Sequence, residues 1–208
     1  MKKLILFAAV ALIQTVSFAQ NSSSGQLSLN ENQSVFAKNQ KFDTDGTELY
    51  SSNLDLKAHK RLGLGVMIGG AAGLIGLNGE INVVPEDAAI AGLGFGTGYT
   101  SFNLGWKHNF EGYYLSPYTK VGYSKWFNTS SGSNSADGSD VLKRVLTDEE
   151  LRTNRFNADF IVGSFGLEYN QLEGELSGMN LFGEVAMMAE IKRGVFVPTG
   201  AVGITYYY

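Results

Sequence analysis

From Arg61 to the last residue, hydrophobic and polar positions alternate in short segments that recur roughly every ten to fifteen residues. A period of two places successive side chains on opposite faces of a β-strand. The alternation therefore predicts a chain made of short strands. Eight strands are predicted, at residues 62–69, 74–84, 88–98, 101–110, 114–127, 156–171, 180–190 and 195–208.

Each predicted strand has one apolar face, and the opposite faces carry polar residues such as Asn78, Glu80 and Lys107. An even number of antiparallel strands returns the last strand to the side of the first. The prediction is an all-β fold, an eight-stranded antiparallel up-and-down β-barrel. Alternation alone leaves open which face is inside, because a soluble barrel is apolar inside and a transmembrane barrel is apolar outside.

Aromatic residues and loop lengths favour the transmembrane alternative. Tyr and Trp suit the two membrane interfaces, and the predicted strands carry aromatics at both ends. Short turns at 84–87, 111–113 and 173–178 alternate with connections at the other end, where the long segment 128–154 falls, as expected of periplasmic turns and extracellular loops. Within it, Thr147-Asp148-Glu149-Glu150 is a capping box that predicts a short helix from Asp148. The aromatics assigned to the outer interface are Tyr99, Phe102, Trp126, Phe127, Phe156 and Phe196.

The first nineteen residues have the pattern of an export signal. Lys2 and Lys3 precede the apolar run from Leu4 to Ile13, and Ser17-Phe18-Ala19 supplies the small residues of a cleavage site. A run of ten residues is about half of what a helix needs to span a bilayer. We therefore expect residues 1–19 to be a signal peptide that is cleaved between Ala19 and Gln20.

Residues 20–60 differ in composition from the barrel at 61–208. They are rich in Ser, Asn, Gln and Lys and have few large apolar side chains. Such a segment buries too little apolar surface to offset the entropy of ordering. The prediction is a flexible periplasmic arm, although composition does not decide whether the arm stays loose or enters the barrel as a plug.

Charge and composition narrow the chemistry further. Loss of the signal peptide removes two lysines and no acid, so the net charge moves from −4 to −6, and no basic cluster remains for nucleic acid. The chain has no cysteine, which excludes disulfides and thiolate metal sites. The acidic segment 42–48 resembles part of a calcium loop, but Lys41 and Ser52 fall where carboxylates are required. We expect no metal and no cofactor.

The C-terminus carries a more specific pattern. The segment from Gly200 to Tyr208 alternates and ends on an aromatic residue. It resembles the terminal-strand signal of bacterial outer-membrane proteins, and with the export signal and strand number the chain is similar to the small barrels of the OmpA-, OmpX- and OmpW-like group. The resemblance implies the outer membrane of a Gram-negative bacterium, contact with its lipid, and recognition by periplasmic chaperones and the barrel-assembly machinery. The residues that would carry the assembly signal are Val202, Ile204, Tyr206 and Tyr208.

Four charged residues are predicted to meet inside the barrel. Register places two acids, Glu80 and Glu184, and two bases, Lys107 and Lys120, at similar depths. An eight-stranded barrel is just wide enough for its own side chains, and buried charges persist when they are paired. The expected ionic cluster is either a static polar plug or a gate that re-pairs to open a narrow path.

Two functions follow from this picture. The first is a structural or surface-interaction role, with a plugged lumen and an extracellular loop, 128–154, displayed toward a partner that the sequence does not identify. The second, suggested by the resemblance to OmpW-like barrels, is a narrow passive channel for small or apolar molecules. Some small outer-membrane barrels are lipid-modifying enzymes, but His59 lies in the arm and His108 faces lipid with no serine near it in sequence. No catalysis is predicted.

Overall fold

The computed structural model describes residues 41–42, 48–128, 139–153 and 155–208. The predicted signal peptide and its cleavage site at Ala19 and Gln20 lie outside these ranges. The strands are β1 (Lys41–Phe42), β2 (Glu48–Leu49), β3 (Leu62–Gly69), β4 (Ile75–Asn82), β5 (Asp87–Gly96), β6 (Tyr99–Asn109), β7 (Leu115–Asn128), β8 (Asn157–Asn170), β9 (Met179–Glu190) and β10 (Phe196–Tyr207). The helices are α1 (Asn53–His59), α2 (Asp140–Val145) and α3 (Asp148–Thr153), with a 3₁₀ turn at Gly70–Ala72.

Strands β3 to β10 form a closed barrel in which each strand pairs antiparallel with its neighbours in sequence. The last strand closes on the first through pairs such as Val202 with Ile68 and Tyr206 with Leu64. The predicted fold class is confirmed, and each predicted strand boundary lies within two residues of the observed one. Strands β1 and β2 form a separate two-stranded sheet.

The barrel is apolar outside and polar inside. Adjacent residues of β9 show the contrast, since Val185 points outward and is 68% exposed while Glu184 points inward and is 6% exposed. Leu64, Leu77 and Val202 likewise present their side chains to the exterior. The sequence left open which face of the strands is inside. The structure places the apolar face outside, whereas a soluble barrel buries it.

Three aromatics predicted at the outer membrane interface lie elsewhere. Tyr99, Trp126 and Phe156 are buried in a cluster at the end of the barrel that carries the β7–β8 loop, which we call the outer end. Trp126 shares the inward parity of Ser124 on β7, and its ring stacks on that of Tyr99 with centroids 4.7 Å apart. The interface prediction was wrong for these three residues because position along a strand does not indicate which face a side chain occupies. Phe196, in contrast, is exposed as predicted.

The end of the predicted flexible arm is also corrected. Residues 48–60 are folded, and α1 carries three buried side chains, Asn53, Leu56 and Lys57. Ser52 caps the helix by accepting a hydrogen bond from the Asp55 amide at 3.2 Å. The low apolar content of this segment wrongly indicated disorder. The helix packs against polar side chains in the lumen, so it does not need a large apolar face to be held in place. Among the described residues, no helix is long and apolar enough to cross a membrane.

Candidate functional site

Helix α1 lies across the end of the barrel at which β3 begins and β10 ends. Asn53 fixes it to the β6–β7 turn, donating to the Phe110 carbonyl at 2.9 Å and accepting from the Gly112 amide at 2.9 Å. Leu56 packs in a small apolar cluster with Leu172 and Tyr207. Polar bonds and apolar contacts thus hold the helix across this end of the barrel, which we call the inner end.

Lys57 reaches from α1 into the lumen and is fully buried. Its ammonium group pairs with Glu168 of β8 and donates to Asn109 Oδ1 at 2.7 Å. A buried ammonium is tolerated only with such partners, since an unpaired one carries a desolvation cost of several kcal/mol. The helix therefore contributes a charge that the barrel wall itself requires, because Glu168 is also fully buried.

The same carboxylate continues the chain of contacts across the lumen. Lys107 Nζ lies 2.8 Å from Glu168 Oε2 and 3.1 Å from Glu80 Oε2. The Tyr207 hydroxyl donates to Glu80 at 2.8 Å. Four side chains from four strands are thereby joined to Lys57 in one network, which we call the inner ionic cluster: Lys57, Glu80, Lys107, Glu168 and Tyr207.

A second pair lies further along the lumen. Lys120 Nζ is 2.7 Å from both carboxylate oxygens of Glu184, and the Tyr118 hydroxyl donates to the same carboxylate at 2.9 Å. Lys107 Nζ stands 4.7 Å from the centroid of the Tyr118 ring, so Tyr118 links the pair to the inner ionic cluster. Three lysines and three glutamates are combined in this arrangement, and their formal charges cancel.

The structure places the four residues of the predicted cluster inside the lumen but in two pairs, Glu80 with Lys107 and Glu184 with Lys120. Sequence reasoning missed Glu168 and Lys57, which complete the network. Glu168 could have been found, since it has the opposite parity to Leu167 and Tyr169 on the apolar face. Lys57 gave no comparable signal, because it precedes the first barrel strand.

Replacing Lys120 with methionine is expected to lower the free energy of unfolding by about 1–3 kcal/mol, because Glu184 is left as a buried acceptor without its cation. Urea unfolding of the purified protein in detergent measures this loss. Lys143→Met, on the exposed face of α2, is the matched control and is expected to change little. A Lys120→Met protein as stable as the parent would show that the pair does not contribute to stability.

The 3₁₀ turn at Gly70–Ala72 lies inside the barrel toward its outer end. The Ala71 carbonyl accepts from Trp126 Nε1 and Ser124 Oγ, each at 2.9 Å, and the Ala72 carbonyl accepts from Ser101 Oγ at 2.8 Å. Gly94 permits this close approach, because a Cβ there would lie 1.9 Å from the Ala72 oxygen. The turn separates a cavity of about 40 Å³ around the ionic network from one of about 170 Å³ at the outer mouth.

A lid formed by residues 139–153 covers the outer mouth. Leu142, Val145 and Leu146 are buried against the aromatic cluster that includes Trp126 and Phe160. The predicted helix start is confirmed: α3 begins at Asp148, and the Thr147 and Glu150 side chains make the reciprocal bonds of a capping box. The described part of the long loop therefore has one buried apolar face, whereas the sequence predicted a loop displayed to the outside.

An ion pair fastens α3 to the β9–β10 turn, since Arg193 contacts both carboxylate oxygens of Glu150 at 2.6 Å. The Thr147 amide, the Thr147 hydroxyl and the Arg193 guanidinium hold the pKa of Glu150 below its usual 4.5. A lowered carboxyl pKa stabilises the folded lid fully above about pH 4.5, and that contribution is lost as the pH falls below this value.

We therefore expect the protein to lose stability between pH 6 and pH 3, and Glu150→Gln to lose less over the same interval. The difference is small, about 0.2–1 kcal/mol, because the pair is partly exposed to solvent. Urea midpoints at the two pH values measure it. An identical pH dependence in the parent and the variant would show that Glu150 is not stabilised as its contacts indicate.

The remaining predicted residues lie on the surface of the barrel. Val202 and Tyr208 are exposed on the outer face, and the rings of Tyr206 and Tyr208 meet edge to face at 4.9 Å. His108 also faces outward, with Nδ1 2.9 Å from Asp87, and His59 lies in α1. Among the described residues, no three acidic or histidine side chains converge as a metal site would require.

Comparisons with known proteins give likenesses of fold. No family profile matches the chain, and no curated protein matches its sequence. The N-terminal β-barrel domain of OprF from Pseudomonas aeruginosa aligns at 14% identity with a TM-score of 0.48, covering 71% of this chain and 98% of that domain. The outer-membrane protein Ail of Yersinia pestis aligns at 11% identity with a TM-score of 0.38, covering 72% and 99%.

Proposed function

We propose that this protein is an integral outer-membrane barrel with a closed lumen, acting as a structural or surface-interaction scaffold rather than as a conduit. Its lipid-facing surface supports the membrane location, since Leu64, Val121 and Phe165 belong to an uncharged belt that continues around the described barrel. In hydrocarbon, a β-sheet can pair all of its backbone N–H and C=O groups only when it closes into a barrel, as this one does.

The lengths of the connections support an orientation. The turns at residues 83–86, 110–114 and 171–178 lie at the end that α1 closes, and the long loop from β7 to β8 lies at the other. Outer-membrane barrels have short periplasmic turns and longer extracellular loops. On this basis α1 faces the periplasm, and the lid faces the cell exterior.

The observation that carries the proposal is the charge balance of the lumen. Lys57, which belongs to α1 and not to a barrel strand, neutralises Glu168, and the remaining acids and bases pair with one another. A conducting path through this network would require several buried pairs to break together, each at a cost of about 3–5 kcal/mol. This cost supports static closure rather than a gate.

Planar-bilayer recording tests the proposal. The full chain is expected to give no discrete openings, and a variant lacking residues 1–60 is expected to stay silent as well, because the 3₁₀ turn still closes the outer end. Insertion is verified by the different gel mobility of boiled and unboiled samples. Reproducible openings from the full chain would contradict closure and favour the narrow passive channel.

The exposed face of the lid is the surface that we propose for recognition. It carries charges of both signs, among them Lys143, Arg144 and Glu149, while its apolar side chains point into the barrel. Loops on a rigid scaffold are common sites of binding. For assembly, we propose that Val202, Ile204, Tyr206 and Tyr208 are the segment that chaperones and the assembly machinery recognise.

A further inference from the structure

A small cluster of charges interrupts the apolar exterior at the outer edge of the belt. Lys125 of β7 and Asp159 of β8 are direct cross-strand partners, with Nζ 3.7 Å from Oδ1. Lys192 of the β9–β10 turn approaches the other carboxylate oxygen at 3.4 Å. The Tyr123 hydroxyl donates to Asp159 at 2.5 Å.

This cluster stands at the border between apolar and polar exterior. One pair further toward the periplasmic end, Tyr123 faces Ile161, which is 50% exposed, and the outward residues beyond them are uncharged. Lysines at such a border extend their ammonium groups toward the lipid headgroups. The position of Lys125 and Lys192 therefore coincides with the headgroup layer of the adjacent leaflet.

The charges of the cluster do not cancel. Two ammonium groups flank a single carboxylate, which leaves a net charge of +1, and that carboxylate is already occupied by the tyrosine hydroxyl. The lysine side chains are 39% and 57% exposed, whereas Asp159 is 18% exposed. The acid holds the two cations near each other while the cations remain accessible, an arrangement that suits a divalent or monovalent oxyanion.

We infer that Lys125 and Lys192 bind the phosphate group of a membrane lipid, with Asp159 and Tyr123 positioning the two lysines. The inference rests on the proposed membrane location. Ammonium groups bind phosphate as point charges with rotatable donors, and each lysine has N–H groups beyond those directed at Asp159.

The charged group of β5 and β6 at the other edge of the belt has a different composition. There, Asp87 accepts from Trp106 Nε1 at 3.1 Å and lies 2.9 Å from His108 Nδ1, with no lysine in the group. A lipid whose phosphate binds Lys125 and Lys192 would lie against β7 and β8.

Native mass spectrometry of the full chain tests the inference. The protein is released from detergent micelles that contain phosphatidic acid or diacylglycerol with the same acyl chains. We expect retention of phosphatidic acid by the parent protein, no retention of diacylglycerol, and at least about tenfold weaker retention by Lys125→Gln/Lys192→Gln, since a charge-assisted hydrogen bond contributes about that factor.

Arg61→Gln/Arg155→Gln is the matched control, because it removes two exposed positive charges that belong neither to the lid nor to the Lys125–Asp159–Lys192 cluster. If both double variants lost retention of phosphatidic acid equally, binding would depend on general charge attraction, and the proposed site would be wrong. Displacement of the lipid by millimolar inorganic phosphate would also overturn it, because the site would then select a free anion. A protein that shows the barrel's gel shift yet retains no phosphatidic acid refutes this inference alone, whereas a protein without the shift refutes the proposed barrel.

Discussion

Replacing Lys57 with methionine is expected to lower the free energy of unfolding by about 3–5 kcal/mol, the largest effect among these substitutions, because it leaves the fully buried Glu168 without its partner from α1. Methionine fills a similar volume, so the loss reports the charge rather than a cavity. The measurement is urea unfolding in detergent, followed by limited proteolysis to detect release of α1.

A second variant separates charge pairing from helix docking. Lys57→Met/Glu168→Leu removes both members of the pair and leaves Lys107 with Glu80, so it is expected to recover much of the lost stability. Lys60→Met is the control on the same segment, where the ammonium makes one hydrogen bond to the Ser177 carbonyl at 2.9 Å and the expected loss is below about 1 kcal/mol. A Lys57→Met protein no less stable than this control would contradict the inner ionic cluster.

Truncation of Leu142 to alanine is expected to open the lid. Leu142 is fully buried, and removing a buried leucine side chain costs about 2–5 kcal/mol. That cost falls on a short segment held by few apolar side chains, so the loss should appear as local opening before the barrel unfolds. Hydrogen exchange of the amides in residues 140–153 is expected to accelerate, with β7 and β8 unchanged.

Lys143→Ala provides the comparison on the opposite face of the same helix. Its side chain is half exposed and pairs only with Asp140 at 4.0 Å, so exchange in the lid is expected to stay the same. If Leu142→Ala also left exchange unchanged, the lid would not depend on its buried apolar face. Faster exchange throughout the barrel strands would instead show that lid and barrel unfold as one unit.

The barrel strands could be predicted from sequence because alternation acts locally. Each β-strand exposes its apolar residues to one medium, so a period of two persists across the whole strand, as Leu62 to Ile68 shows on β3. The capping box at Thr147 and Glu150 was equally local, since both residues belong to one helical turn. Features encoded within a few residues were therefore accessible without a structure.

The ionic network in the lumen depends on contacts between distant residues. Lys57 and Glu168 are separated by 111 positions, and the composition of the segment around Lys57 matches that of a disordered chain. The rule that disfavours ordering of polar segments assumes that the segment must bury apolar surface, whereas Lys57 is buried against charged and polar groups of the lumen. The partner of Trp126 illustrates the same limit: strand parity places its indole inside the barrel, but the Ala71 carbonyl that it bonds lies 55 positions away in sequence.

Helix α1 has a mechanical consequence for the barrel. It is joined covalently to β3 through Lys60 and Arg61, and it is bonded across the opening to the β6–β7 turn by Asn53 and to β8 by Lys57. These attachments lie at different strands around this rim of the barrel, so the helix acts as a cross-brace. A distortion of the rim that moves β3, the β6–β7 turn and β8 relative to one another would strain these bonds, so the helix resists it.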